Sequence, residues 1–268
     1  MGFKIACDDG HGMETAGKRT PALKENITFN GKTYKKGSCI HENEFNEHIM
    51  DLFIKGCKRC GIDTLQVAPG TKDVALATRV KTANNAKTDL YISFHANALT
   101  GVWQDKAYGL VVIHHKNCQS KTKILANNVY KYLKSEVKWY SNGATKYGVR
   151  ADTDISGYSL YVLKNTTMPS ILVEYGFMDN WNDVKMMCTE KFAIDCAEAT
   201  LKGVCDTLGV VYKAPSTNLS TSTSNTPQNG VYRVIAGSYK SKENALKRQE
   251  ELNKLGVNTF LLYDEQEG

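Results

Sequence analysis

Two histidines and two glutamates, each at a punctuated point of the chain, are the residues whose types and spacing could do chemistry. His11 lies in Asp8-Asp9-Gly10-His11-Gly12, and Glu42 opens a helical pattern. His95 lies in Ser93-Phe94-His95-Ala96-Asn97, and Glu174 in Leu172-Val173-Glu174-Tyr175-Gly176-Phe177. Two imidazoles and one carboxylate form a donor set for a catalytic Zn²⁺ that keeps one position open for water. Glu174, on a separate strand-like run, would then be the general base for that water. The same donors accept Mn²⁺ or Co²⁺, so zinc is argued from ligand type alone. Plainer readings exist for each residue: a His at a strand end is commonly a half-exposed polar group, and a Glu at a helix start complements the helix dipole. Glu174 resists such a reading, because a carboxylate inside an apolar run needs a partner or a role.

Regular elements must carry these residues to one place. Strand patterns cover 4–8, 64–67, 90–95, 110–114 and 170–174, and helical patterns cover 42–60, 75–87, 121–135 and 192–208. Their alternation predicts an α/β domain with a mostly parallel twisted sheet flanked by helices. In such sheets the working residues gather beyond the carboxyl ends of strands. His11 follows the first strand, His95 and Glu174 end two others, and Glu42 at a helix start can be delivered to the same edge. Gly10 and Gly12 are expected to supply close backbone approach and positive φ, turning His11 inward. Residues 13–41 are too long and polar for a simple connection and are expected beside the groove, shaping substrate choice. Within them, Thr28 to Tyr34 alternate about Asn30-Gly31, which predicts a hairpin.

The motifs, in this order, resemble the zinc-dependent N-acetylmuramoyl-L-alanine amidases of the type 3 family, which cut glycan from stem peptide in bacterial peptidoglycan. The resemblance extends over about residues 3–210 and includes Asp8, Asn97, Arg79 with Asn84, and the Glu-x-Gly-Phe run. It implies His11, Glu42 and His95 as metal ligands for one Zn²⁺ and Glu174 as the catalytic glutamate. Glu44 rivals Glu42, but the spacing from Glu42 to Asn46 is more similar to the family's. His41 and His48 are the nearest competing imidazoles and are expected off the Glu42 face. His114 and His115 are expected at a surface or edge. Asn97, two residues past a ligand, and Arg150, in Tyr147-Gly148-Val149-Arg150, are substrate-contact candidates through the same resemblance; loop hydrogen bonding and a surface ion pair are the alternatives.

With 268 residues and 41% hydrophobic content, the chain can bury one sizeable core and a small second unit. No apolar run approaches the ~20 residues that span a bilayer. The eight cysteines are expected to be reduced thiols. Cys57 and Cys60 continue the Phe45, Ile49, Leu52, Phe53 stripe and so face the core, and no second pair completes a zinc clip. The net charge of +6 lies wholly in residues 1–213, because six basic and six acidic residues balance from Val231 onward. Such a surface suits an anionic polymer such as a wall with teichoic acids. No dense basic stripe points to nucleic acid.

Residues 214–229 are small, polar and uncharged, the composition of a flexible linker. Beyond it, Gly230 to Tyr239, Ser241 to Ala245 and Leu252 to Tyr263 resemble one β-α-β half of a sporulation-related (SPOR) repeat, a family that binds glycan strands stripped of stem peptides. The expected domains are therefore a catalytic unit at 1–213 and a partial wall-binding unit at 230–268. So short a unit would be marginal alone, and a homodimer through two tails is one expected remedy. The first residues, Met1-Gly2-Phe3-Lys4, lead straight into a strand without the parts of a secretory signal. Synthesis in the cytoplasm and action on the wall after holin-type release or cell lysis is the expectation. The expected function is a peptidoglycan amidase, an endolysin or autolysin. A zinc endopeptidase cutting within the stem and a catalytically inactive wall-binding protein are the alternatives.

Overall fold

A computed structural model describes residues 2–140, 147–215 and 241–254. The elements run β1 (Lys4–Asp9), β2 (Ile27–Phe29), β3 (Lys32–Tyr34), α1 (Glu42–Arg59), β4 (Asp63–Gln66), α2 (Leu76–Asn85), β5 (Leu90–Asn97) and β6 (Leu110–His114). They continue with α3 (Ser120–Glu136), β7 (Gly148–Ala151), α4 (Asp152–Ser156), α5 (Tyr161–Asn165), β8 (Ser170–Phe177), α6 (Trp181–Met187), α7 (Glu190–Leu208) and α8 (Lys242–Lys254). Two compact units result, Met1–Ser216 and Thr217–Gly268.

In the first unit a six-stranded sheet has the order β4-β1-β5-β8-β6-β7. The first four strands are mutually parallel, β6 runs antiparallel to β8, and β7 runs parallel to β6. The expected mostly parallel α/β sheet is thus present. Its central strands read as near-continuous apolar runs because helices cover both faces, leaving no solvent side to select for alternation. One face, carrying Cys7, Ile92, Phe94, Val173 and Tyr175, packs on α1, α3 and α7. The other carries Ala6, Tyr91, Val111 and Leu172 and packs on α2 and α5.

Local chemistry explains the element ends. In α1 the buried residues Phe45, Ile49, Met50, Phe53 and Cys57 recur at three and four positions, the stripe of an amphipathic helix. The Thr189 hydroxyl accepts the Phe192 amide to start α7, and Gly209, at φ 68°, ends it in the left-handed conformation. Asn30 and Gly31, at φ 45° and 74°, make the two-residue turn of the β2–β3 hairpin. All eight cysteines are free thiols, and Cys57 and Cys60 are buried as expected.

Two strand limits differ from the sequence reading. His95 does not end β5, which continues to Asn97, and Glu174 does not end β8, which continues to Phe177. Alternation breaks down after His95, where a register shift before Asn97 hides the true end. In the second unit, α8 has no fully buried residue and carries the pairs Glu250–Lys254 and Arg248–Glu251. The strands expected on either side of it, and most of the expected linker, lie outside the described residues. Among the described residues no helix is long and apolar enough to cross a membrane.

Candidate metal centre

The site is assembled at the carboxyl edge of the parallel strands. β1 pairs with β5 so that Asp8 lies opposite Ser93, and β5 pairs with β8 so that His95 lies directly opposite Glu174. His11 follows β1 at φ 70°, a left-handed conformation that is uncommon for a residue with a side chain. Positive φ therefore falls on His11 itself, and the neighbouring glycines serve close approach. A Cβ on Gly10 would lie 2.0 Å from His95 Cε1, and one on Gly12 would lie 2.2 Å from the Asp73 amide nitrogen. The strained turn is held from three sides. Asn43 donates to the Asp9 carbonyl at 3.0 Å, Asn46 to the Gly10 carbonyl at 2.9 Å, and Arg79 to the His11 carbonyl at 3.0 Å.

Glu42 enters from the first turn of α1. His41 caps that helix: its amide donates to Glu44 Oε2 at 2.9 Å, while the Glu42 amide donates to the Lys18 carbonyl at 2.9 Å. His11, Glu42 and His95 bring one donor atom each within 4.8 Å of one another. Glu42 Oε1 lies 2.9 Å from His95 Nδ1 and 3.4 Å from His11 Nε2. Of the rivals, Glu44 is engaged with Tyr34 and Lys32, and His48 pairs with Glu190 at 2.8 Å. His114 lies on β6 with Nδ1 against the His115 carbonyl, and His115 pairs with Asp152.

Burial and mutual charge set the protonation of the centre. Burial pushes Glu42 up, but the His95 hydrogen bond and the charges of His95, His11 and Lys18 outweigh it and hold the carboxyl down at about 2. Burial pushes His95 down, and the Glu42 hydrogen bond and carboxylate charge raise it overall. Burial and the His95 charge depress His11 to about 4. Glu174, whose shielded Oε2 has no hydrogen-bond partner, is raised by burial to about 7. Burial likewise raises Asp9 to about 7.

These residues fit a tetrahedral zinc. Metal bonds of about 2 Å place donors roughly 3.3 Å apart, close to the 2.9 and 3.4 Å that separate Glu42 Oε1 from the two imidazoles. Glu42 Oε2 is buried without a hydrogen bond, with the Lys18 ammonium 3.5 Å away, so the oxygen has room for a closer cation. Lys18 and Asn43 escaped the sequence reading, and Asn46 entered it only through its spacing from Glu42. Lys18 sets Nζ 3.5 Å from Glu42 Oε2, and Asn43 and Asn46 hold the His11 turn. The asparagines were signalled by their place on the otherwise apolar face of α1; Lys18 carried no periodic signal at all.

The substrate-contact candidates part company. Asn97 sits at the end of β5, its side chain accepting the Ala98 amide at 2.8 Å and its carbonyl accepting the Met178 amide at 2.7 Å. Arg150 lies on the edge strand β7 opposite Ile113, whereas Val111, the β6 residue opposite Glu174, faces Gly148. It is therefore two strands from Glu174 and displaced toward the opposite edge of the sheet, so the structure does not bring it into the cluster.

The sequence profile described as N-acetylmuramoyl-L-alanine amidase matches residues 5–206. The chain belongs to that amidase family. A second profile, described as SPOR domain, matches residues 211–263, starting ahead of the boundary expected at 230. The endolysin of Bacillus phage SPP1 is 31% identical over 140 residues, covering 52% of this chain and 47% of that protein. The germination-specific N-acetylmuramoyl-L-alanine amidase of Bacillus subtilis is 26% identical over 148 residues, covering 53% of this chain and 56% of that one. The chain thus spans about half the length of these relatives. The crystal structure of N-acetylmuramoyl-L-alanine amidase from Clostridium difficile 630 superposes with a TM-score of 0.62 at 23% identity, over 78% of this chain and 97% of that one, a likeness of fold.

Proposed function

We propose that this family member is a zinc-dependent peptidoglycan hydrolase cutting the amide between N-acetylmuramic acid and the L-alanine of the stem peptide. The observation that carries this reading is the convergence of His11, Glu42 and His95 on one point, with the raised carboxyl of Glu174 on the residue opposite His95. Zinc held by His11, Glu42 and His95 would supply Lewis acidity to the scissile carbonyl and to the attacking water. Glu174 supplies the proton traffic. Its ionised carboxylate takes the proton of the water as the new C–O bond forms, holds it, and gives it to the leaving nitrogen as the C–N bond breaks. Burial raises this carboxyl, which favours its holding the proton between the two halves of that exchange.

Gly10 packs against the His95 ring and Gly12 against the backbone of Lys72 and Asp73, and neither position admits a side chain. Asn97, at the strand end beside His95, is the proposed substrate contact from the sheet, and Arg150 is retained only as a peripheral one. The SPOR match at 211–263 supports a tail that binds the wall, and this reading requires no pairing of two chains. The names endolysin and germination-specific amidase among the relatives support action on the wall of an opening cell, by release through holin-type lesions or lysis.

The test is digestion of purified sacculi by wild type, chelator-treated protein and Glu174→Ala, followed by mass spectrometry. The reading expects intact glycan strands and free peptides beginning at L-alanine, lost with chelator and with the substitution. Cuts within the stem would make the protein an endopeptidase instead, and binding without products would make it an inert wall-binder.

A further inference from the structure

We infer that Asp8 and Ser93 are positioning residues that fix the tautomer of His95, holding the proton on Nε2 and leaving Nδ1 as the metal-facing lone pair. The inference rests on the metal reading above and concerns which ring atom is offered. Asp8 is buried at the centre of a donor cluster. Its Oδ1 accepts from Arg79 Nη1, and its Oδ2 accepts from the Tyr91 hydroxyl at 2.8 Å and the Ser93 hydroxyl at 2.6 Å. Asp8, Ser93, Tyr91 and Arg79 are each at most 2% exposed, so water does not offer an alternative set of partners.

The Ser93 hydroxyl has one hydrogen. A guanidinium on one side of Asp8 holds that carboxylate as an acceptor, so the Ser93 hydrogen is committed to Oδ2. Ser93 Oγ then faces His95 Nε2, 3.1 Å away, with lone pairs only. Two facing acceptors would repel, and Nε2 must therefore carry a hydrogen. The other ring nitrogen, Nδ1, lies 2.9 Å from Glu42 Oε1 and shares its hydrogen with that carboxylate in the metal-free protein, so the Nδ1 proton is the one a metal held with Glu42 displaces. A hydrogen-bonded outer partner of this kind orients a ligating imidazole and raises its affinity for metal. Here the chain of bonds runs from Arg79 on α2 through β1 to β5, so the ring orientation is set by packing of the sheet rather than by the loop that bears His11.

The experiment uses the full chain. The ring ¹⁵N shifts of His95 in the zinc-loaded wild type are expected to show a protonated Nε2 and a metal-bound Nδ1; a proton on Nδ1 overturns the inference without any variant. Zinc affinity is then measured by competition with a chromophoric chelator. Ser93→Ala is expected to weaken it about 10- to 100-fold, with Ser93→Thr restoring most of the loss, because only the hydroxyl matters. Tyr91→Phe removes a hydroxyl from the same Asp8 oxygen but spares the Ser93–His95 contact, and is expected to stay within about threefold of wild type. Equal affinity in Ser93→Ala and wild type, or an equal fall in Tyr91→Phe, overturns the relay. Failure of the wild type to bind zinc at all would instead overturn the metal reading.

Discussion

His95 meets Glu42 at 2.9 Å and His115 meets Asp152 at 2.9 Å, each an imidazole against a buried carboxylate. Their surroundings differ. Asp152 Oδ1 accepts from the Lys116 and Thr153 amides at 3.1 and 2.9 Å, and Oδ2 accepts from the Leu160 amide at 3.0 Å besides His115. Both its oxygens are filled, by amides from three separate segments and by His115; burial pushes its carboxyl up, and those bonds hold it below the usual range. Glu42 has a second imidazole at 3.4 Å, and its Oε2 has no hydrogen bond. A carboxylate whose acceptors are all met by amides and an imidazole ties neighbouring loops together. One left with an unmet acceptor among convergent donors has room for a cation.

The sharpest way to break that contrast is to remove the acid–base group beside only one of the pairs. Glu174→Gln is expected to lower the rate of stem-peptide release by about 10²- to 10⁴-fold while zinc affinity stays near wild type, read by product assay and chelator competition. If activity survived, the Glu42 centre would lose its claim to be more than another satisfied cluster. Ligand deletion separates the pairs in metal content. His11→Ala is expected to remove bound zinc after dialysis, measured by elemental analysis, whereas His115→Ala leaves the stoichiometry unchanged. Asp152→Ala moves stability instead, by about 1–2 kcal/mol in chemical unfolding, since it strands three part-buried amides.

A subtler test is linkage in the metal-free protein. Glu174 is raised to about 7, so its contribution is fully present below the unfolded value of 4.5 and is lost as pH rises through about 7. Glu174→Gln should therefore be more stable than wild type at pH 8, by about 1–3 kcal/mol, and indistinguishable at pH 4 in paired denaturant titrations. Asp9 adds loss over the same window with the same sign. His11 opposes them, because its depressed value makes stability rise between about 4 and 6.5. The mutant comparison, rather than the raw profile, isolates Glu174. The smallest effect is expected at Arg150. Its place on the edge strand predicts that Arg150→Ala changes kcat/KM by no more than about twofold, against a larger fall for Asn97→Ala.

Much of this is legible in the sequence. The strands 90–95 and 170–174 announced themselves as apolar runs, and Glu174 stood out because a charge does not enter such a run unpaired. The hairpin at Asn30-Gly31 followed from turn chemistry, since both positions need positive φ. His95 and Glu174 looked like strand ends because polar residues at the sheet edge mimic the end of a strand, although pairing persists to Asn97 and Phe177. Arg150 was drawn in by its neighbours in sequence, and strand order placed it elsewhere. Lys18 was missed because a segment without periodicity gives no indication of where its side chains go.

By itself the sequence determined the inventory: which residues can ligate, which can move a proton, and which stretches must be strands or helices. Those properties are local, fixed by side-chain chemistry and by periods of two and 3.6 residues. Tertiary structure decided the pairing of His95 with Glu174, the left-handed turn that aims His11, and the Asp8–Ser93 bonds behind the His95 ring. It also decided that Glu42, and not Asp152, would keep an unmet acceptor. Register, close backbone approach and hydrogen-bond satisfaction belong to segments far apart in the chain, and they exist only once the sheet has brought those segments together.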